Sequence, residues 1–307
     1  MHKLATSAVA VLIVASSALP ASALNTRTWI SGTGVDQAGC GGIASPCRTL
    51  QYAHDNTNPK GEIDIKDSAG YGAVAINRAI SIISDGAFGG VLAQGSGNGI
   101  SINVGASDIV ILRGLTIEGG GVGTTGISMA SGGILNVSKC IVQNFIHRGI
   151  EIAPASGQVK ATIEDTDTSY NGWQGIAFFG RSSSDRLYIL NAVTKYNTLD
   201  GIRLDGPPAA SPLATISNTS AINNGEYGIY IADPFNALID NVTVTGNVNG
   251  IGMVGGTFVL GRSAVFGNKT TGVNLANADT AISYKNNQIN ANGTDIANGS
   301  FTIGPLQ

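Results

Sequence analysis

A Gly-Ile dipeptide recurs through the middle of this chain, at Gly99-Ile100, Gly126-Ile127, Gly149-Ile150, Gly175-Ile176, Gly201-Ile202, Gly228-Ile229 and Gly250-Ile251, with Gly272-Val273 as the last clear copy. The steps are 27, 23, 26, 26, 27, 22 and 22 residues. A repeat of that length is the mark of stacked structural units, each burying its apolar face against the next. A second column keeps register with the first. Asp165, Asn191 and Asn218 each stand ten residues before the next Gly, Asn241 stands nine before, Lys139 and Arg262 hold the place in other copies, and Asn286 marks a ninth copy whose Gly is missing.

Each unit reads as three short strands. Around Asn241, "ALID" alternates in polarity, "VTVT" alternates after the Asn, and "GIGM" alternates after a turn through Asn247 and Asn249. Alternation with period two, broken by turn residues, predicts strands, and no stretch holds a 3.6-residue period long enough for a backing helix. The chain is therefore expected to wind as a three-sided solenoid with one strand per side. The distance from the Asn column to the Gly column hardly changes, whereas Gly to the next Asn column takes 12 to 17 residues, so one turn of the three is variable.

The repeated "N...GIxI" coil resembles the right-handed parallel β-helix proteins of the pectin-lyase-like superfamily over roughly residues 29 to 300. That resemblance implies an all-β, right-handed parallel β-helix with an N-terminal capping helix. Asn191, Asn218, Asn241 and Asn286 would form the family's stacked asparagine turn, with Asn218 and Asn241 buried in it. Similarity of this kind speaks to fold, since one fold hosts many sites.

Residues 1–23 have a basic start, the apolar run "AVAVLIVA" and a small-residue "ASA" ending at Ala23, which predicts a signal peptide and export, to the exterior or the periplasm. No other segment is apolar and long enough to span a bilayer. Residues 24–60 are expected to hold a first strand and the capping helix, within "PCRTLQYAHDN", and residues 61–307 the coils. With 12% charged residues and a net charge of −3, nothing points to nucleic acid as a partner. Cys40 and Cys47 lie in a Gly-rich loop of an exported chain and are expected to pair, two free thiols being the alternative. Cys140 reads as a packed free cysteine, and no Cys/His cluster suggests a metal centre.

Chemistry, if present, belongs on an outward strand face. In each "GIxI" strand the Ile and the residue two later point inward, so the residues between and after them point out. Read coil by coil, the outward positions and the two residues before each Gly concentrate charge and aromatic rings between residues 147 and 233. They include His147, Arg148, Glu151, Trp173, Phe179, Tyr227 and Tyr230, with Arg181 in the long loop "FFGRSSSDR". Such a face beside long loops suits sugar rings on aromatic faces and charged groups on hydroxyls or carboxylates. Pectate lyases and polygalacturonases, which the chain resembles, hold substrate at the equivalent place. The competing reading is ordinary solvated surface.

The catalytic signatures of polygalacturonase-like enzymes (Asn-Thr-Asp, Asp-Asp, Gly-His-Gly, Arg-Ile-Lys) are absent from this sequence. Hydrolysis needs two carboxyl groups across the scissile bond, and Asp200, Asp205, Glu226 and Glu151 are the acidic residues on this face. A lyase needs Ca2+ or an Arg to neutralise the uronate carboxylate, and a base near the C5 proton. Arg203, between Asp200 and Asp205 with Glu226 one coil on, supplies those groups; a plain ion pair on a strand face is the simpler reading. The expectation is a secreted protein that binds or processes extracellular polysaccharide through this face. A noncatalytic adhesion solenoid and a uronate lyase are the alternatives.

Overall fold

The computed structural model describes residues 24–207, 210–232, 235–276 and 280–304. Residues 1–23, read above as a signal peptide, lie outside them. Among the described residues are 32 short strands and one helix. The strands form three parallel sheets of twelve, ten and ten strands, in which each strand inside the sheet pairs with its counterparts from the coil before and the coil after. The three runs read around Asn241 are strands Asn236–Asp240, Thr243–Thr245 and Asn249–Val254, one in each sheet. No helix of the described residues is long and apolar enough to cross a membrane.

The Gly-Ile dipeptides open the strands of one ten-stranded sheet, which carries the face discussed below. Ile127, Ile150, Ile176, Ile202, Ile229, Ile251 and Val273 stack in register inside it, each at 0% exposure. Each such side chain withdrawn from water contributes about 1.5–3 kcal/mol. The variable turn runs from this sheet to the twelve-stranded one, as between Phe179 and Arg186.

The helix, Leu50–Asp55, begins at an N-cap in which the Thr49 side chain accepts the Tyr52 N–H. Its Leu50 and Ala53 are buried, and it packs against the strands Asn25–Ile30, Thr57–Ile65 and Val74–Ile76. Cys40 and Cys47 are joined in a disulfide with Cα atoms 5.1 Å apart. Cys140 is a buried free thiol whose pKa burial pushes up to about 11.

The asparagine column expected to be buried is on the surface. Asn191, Asn218, Asn241 and Asn286 are exposed, and the first three take φ of 53°, 52° and 52°, as do Lys139, Asp165 and Arg262 at 54°, 49° and 49°. The position is a one-residue left-handed corner, which Asn and Asp tolerate better than most residues. Stacking bonds do run along it, from Asn191 Nδ2 to Asp165 Oδ1 (3.2 Å) and from Asn241 Nδ2 to Asn218 Oδ1 (2.7 Å), but in solvent. Asn286 falls one place after the left-handed Lys285, and its side chain accepts the Arg262 N–H.

The internal asparagine ladder is a different column, Asn171, Asn197, Asn224, Asn247, Asn268 and Asn292, at the turn leading into the Gly-Ile strands. The backbone N–H and the side-chain Nδ2 of each residue both donate to the Oδ1 of the next, as from Asn197 to Asn224 at 3.2 and 3.0 Å. Each Nδ2 also donates to a strand carbonyl, as Asn197 does to Thr168 O at 3.1 Å. The ladder ends where Asn292 donates twice to Asp295 Oδ1. It also lies against the Gly column from Gly149 to Gly272. A Cβ at Gly201 would stand 2.5 Å from Thr194 Oγ1, 2.6 Å from Gly228 O and 2.8 Å from Asn224 Nδ2, so only glycine leaves room for the ladder.

Candidate functional site

Four columns of side chains cross the outer face of the Gly-Ile sheet. Strand register places Glu151, Ala177, Arg203, Tyr230 and Gly252 in one line, and Phe179 beside Asp205 in the next. Backbone bonds from Trp173 N to His147 O (2.7 Å), Leu199 N to Trp173 O (3.0 Å) and Glu226 N to Leu199 O (3.0 Å) set a third line at the entry to the strands. Arg148, Gln174, Asp200 and Tyr227 make the fourth, each directly before its Gly. Sequence register thus brings the candidate residues onto one surface, apart from Arg181. That residue is exposed in the loop, where its backbone N–H donates to the buried carboxylate of Asp185.

Within the face the side chains interlock. The rings of His147 and Trp173 stack at 3.9 Å with 19° between planes. The Arg148 guanidinium lies 4.7 Å from the Trp173 ring centre and 5.0 Å from that of Phe179, which is cation–π range. It also donates to Glu151 Oε2 at 2.8 Å and to Gln174 Oε1 at 2.9 Å. One coil further, Arg203 donates to Asp205 Oδ2 at 3.1 Å and Asp200 Oδ2 at 3.4 Å, and its guanidinium sits 4.6 Å from the Tyr230 ring centre. Tyr227 and Tyr230 lie 5.1 Å apart, and the Tyr227 ring extends over Gly252, where a Cβ would meet its Cε1 at 2.4 Å.

Gln174, which the sequence reading left out of the site, joins the two arginine clusters by accepting from Arg148 and reaching Asp200 Oδ2 at 3.5 Å. It is buried, and so is Ala177, which was expected to face out. Asp200 requires a larger correction. Grouped with the carboxylates that would act on a substrate, it has a side chain at 0% exposure. Tyr227 N–H donates to its Oδ1 at 3.2 Å, so it meets a ligand only through Arg203. Burial and then the Glu226 charge raise its pKa, against the Tyr227 N–H and Arg203 that lower it.

Asp205 is one-third exposed and held by Arg203, and Glu226 is exposed. A Ca2+ ion needs several oxygen donors converging on one point. Among the described residues, the His, Cys, Asp and Glu donors that converge in threes are Asp36, Cys40 and Cys47, whose sulfurs are bonded to each other. Asp200, Asp205 and Glu226 as placed do not fit such an ion, because Arg203 already fills the space between the first two.

Residues 98–261, more than half of the chain, match the model of the family described as the right handed beta helix region. The chain belongs to that family. A crystal structure of pectate lyase Pel9A is similar to this β-helix with a TM-score of 0.53 and 17% identity, over 87% of this chain and 71% of that one. An alginate lyase from Paenibacillus sp. str. FPU-7 gives a TM-score of 0.48 and 14% identity, over 81% of this chain and 95% of that one. At such identities the likeness is one of fold. No curated protein sequence matches the chain.

Proposed function

We propose that this β-helix is exported and binds extracellular polysaccharide along the outer face of its Gly-Ile sheet, between His147 and Tyr230. One observation carries the reading. Seven aromatic or guanidinium groups stand on consecutive coils in two interlocked clusters, His147, Arg148, Trp173 and Phe179 in one and Arg203, Tyr227 and Tyr230 in the other, joined through Gln174 and Asp200. Rings fixed by stacking lose little freedom when a sugar settles on them, and amphipathic rings with guanidinium neighbours suit sugar faces and hydroxyls. The fold likeness to a pectate lyase is consistent with this use of the face.

Binding accounts for the geometry better than cleavage does. Asp200 is covered, and Arg203 and Glu151 are tied into ion pairs, which leaves Glu226 as the exposed carboxylate without a guanidinium partner. Retention of the protein on immobilised glycans tests the proposal. Trp173→Ala and Tyr230→Ala should each weaken retention by about tenfold, the effect of losing one stacked aromatic contact of roughly 1.4 kcal/mol. Unchanged retention in both variants, on every glycan that holds the parent protein, would remove this face from consideration.

A further inference from the structure

We infer that the glycan taken by this face is an uncharged one, and that its track continues past His147 to an amide- and hydroxyl-lined depression at Gln51, Gln94, Asn98 and Ser101. The inference rests on the binding reading above and adds the substrate class and a second contact region.

Charge is the first argument. The face presents two guanidiniums, Arg148 and Arg203, against three carboxylates that reach solvent, Glu151, Asp205 and Glu226, with Asp200 covered beneath Arg203. Both guanidiniums are committed, Arg148 to Glu151 and Arg203 to Asp205 and Asp200. A uronate polymer would have to displace one of these carboxylates or lie beside an unneutralised acidic excess, and like charges at such range repel. Bridging Ca2+ would relieve that repulsion, but the acidic groups do not converge to hold it. Arg181 is an exposed cation, though it stands in the loop and off the strand columns.

The second argument is continuity. Glu151 is in register with Ser128, Ser128 with Ser101, and Ser101 with Ala75. Around that end of the column lies a depression of about 340 Å³ walled by Gln51, Gln94, Asn98, Ser101 and small apolar residues, with no charged side chain in its lining. The Asn98 amide is oriented by its 3.2 Å bond to Ser101 Oγ, and Gln51 Oε1 by the Ala75 N–H at 2.8 Å. Neutral amides and hydroxyls match sugar hydroxyls, each able to donate and accept. From the strand Val74–Ile76 to the strand Tyr227–Ala232 there are six strand steps across one sheet, about 29 Å at roughly 4.8 Å each.

Equilibrium binding to soluble dextran, galactan, arabinan and xylan, and to polygalacturonate and alginate, tests this at about 20 and 500 mM salt with and without Ca2+. We expect a neutral polymer to bind at least tenfold more tightly than either uronate, with no dependence on Ca2+ and little on salt. The double variant Asp205→Asn/Glu226→Gln should gain uronate binding. Asn98→Ala combined with Gln94→Ala, both surface changes, should weaken the neutral polymer by about tenfold while leaving the far-ultraviolet spectrum unaltered. Tight uronate binding that falls with salt or requires Ca2+ would overturn the inference while leaving a glycan-binding face. Full affinity in the Asn98/Gln94 variant would remove the second contact region, and silence across all six polymers would sink the binding reading with the inference.

Discussion

Replacing Asn197 by Ala should test what the internal ladder is worth. The substitution removes the Oδ1 that accepts two N–H groups of Asn171, its backbone N–H at 3.1 Å and its Nδ2 at 3.0 Å. Both donors are buried. An orphaned buried donor costs about 1–3 kcal/mol, so the pair predicts a loss of about 2–6 kcal/mol. Asn224 adds little, because the backbone N–H of residue 197 still donates to its Oδ1. The control is Asn191→Gly, six residues earlier in the exposed column. There a 3.2 Å surface bond disappears while glycine accepts φ of 53° without strain, and the change should stay within about 0.5 kcal/mol. Urea unfolding followed by circular dichroism measures both. A cost under about 1 kcal/mol for Asn197→Ala, or equal costs for the two variants, would refute the assignment of the ladder.

Two further outcomes follow from the buried titratable groups. Cys140, with its thiol pushed up to about 11 by burial, should resist alkylation by iodoacetamide at pH 8 in the native protein and react fully in denaturant, as read by mass spectrometry. Asp200 has a raised folded-state pKa, so its contribution to stability is fully present below its unfolded value of about 3.9 and is lost as pH rises through the folded value. Relative to the parent, Asp200→Asn should therefore gain stability between pH 4 and pH 7, and a difference that stays flat or reverses across that window would show that Arg203 outweighs burial.

Register was legible in the sequence because it depends on backbone spacing. The Gly-Ile column, the three alternating runs per coil and the gathering of His147, Trp173, Arg203 and Tyr230 on one face all follow from counting residues between turns. The ladder was not legible by the same count, because two asparagine columns repeat with one period. One stands ten residues before Gly and is selected by a left-handed corner; the other stands four before Gly, in "YNGWQG", "YNTLDG" and "NNGEYG", and is selected by burial. Only the second lies against the Gly column, as in the space that Asn224 Nδ2 takes beside Gly201. Of the residues directly before a Gly, Gln174 and Asp200 are buried while Arg148 and Tyr227 are half-exposed, and Trp173 and Glu226, each two places before a Gly, are exposed. Counting back from the Gly places all of these residues on one surface and cannot separate the covered from the uncovered: Gln174 and Asp200 lie beneath Arg148 and Arg203 and hold them, and Trp173 and Glu226 are the part of the face that meets a ligand first.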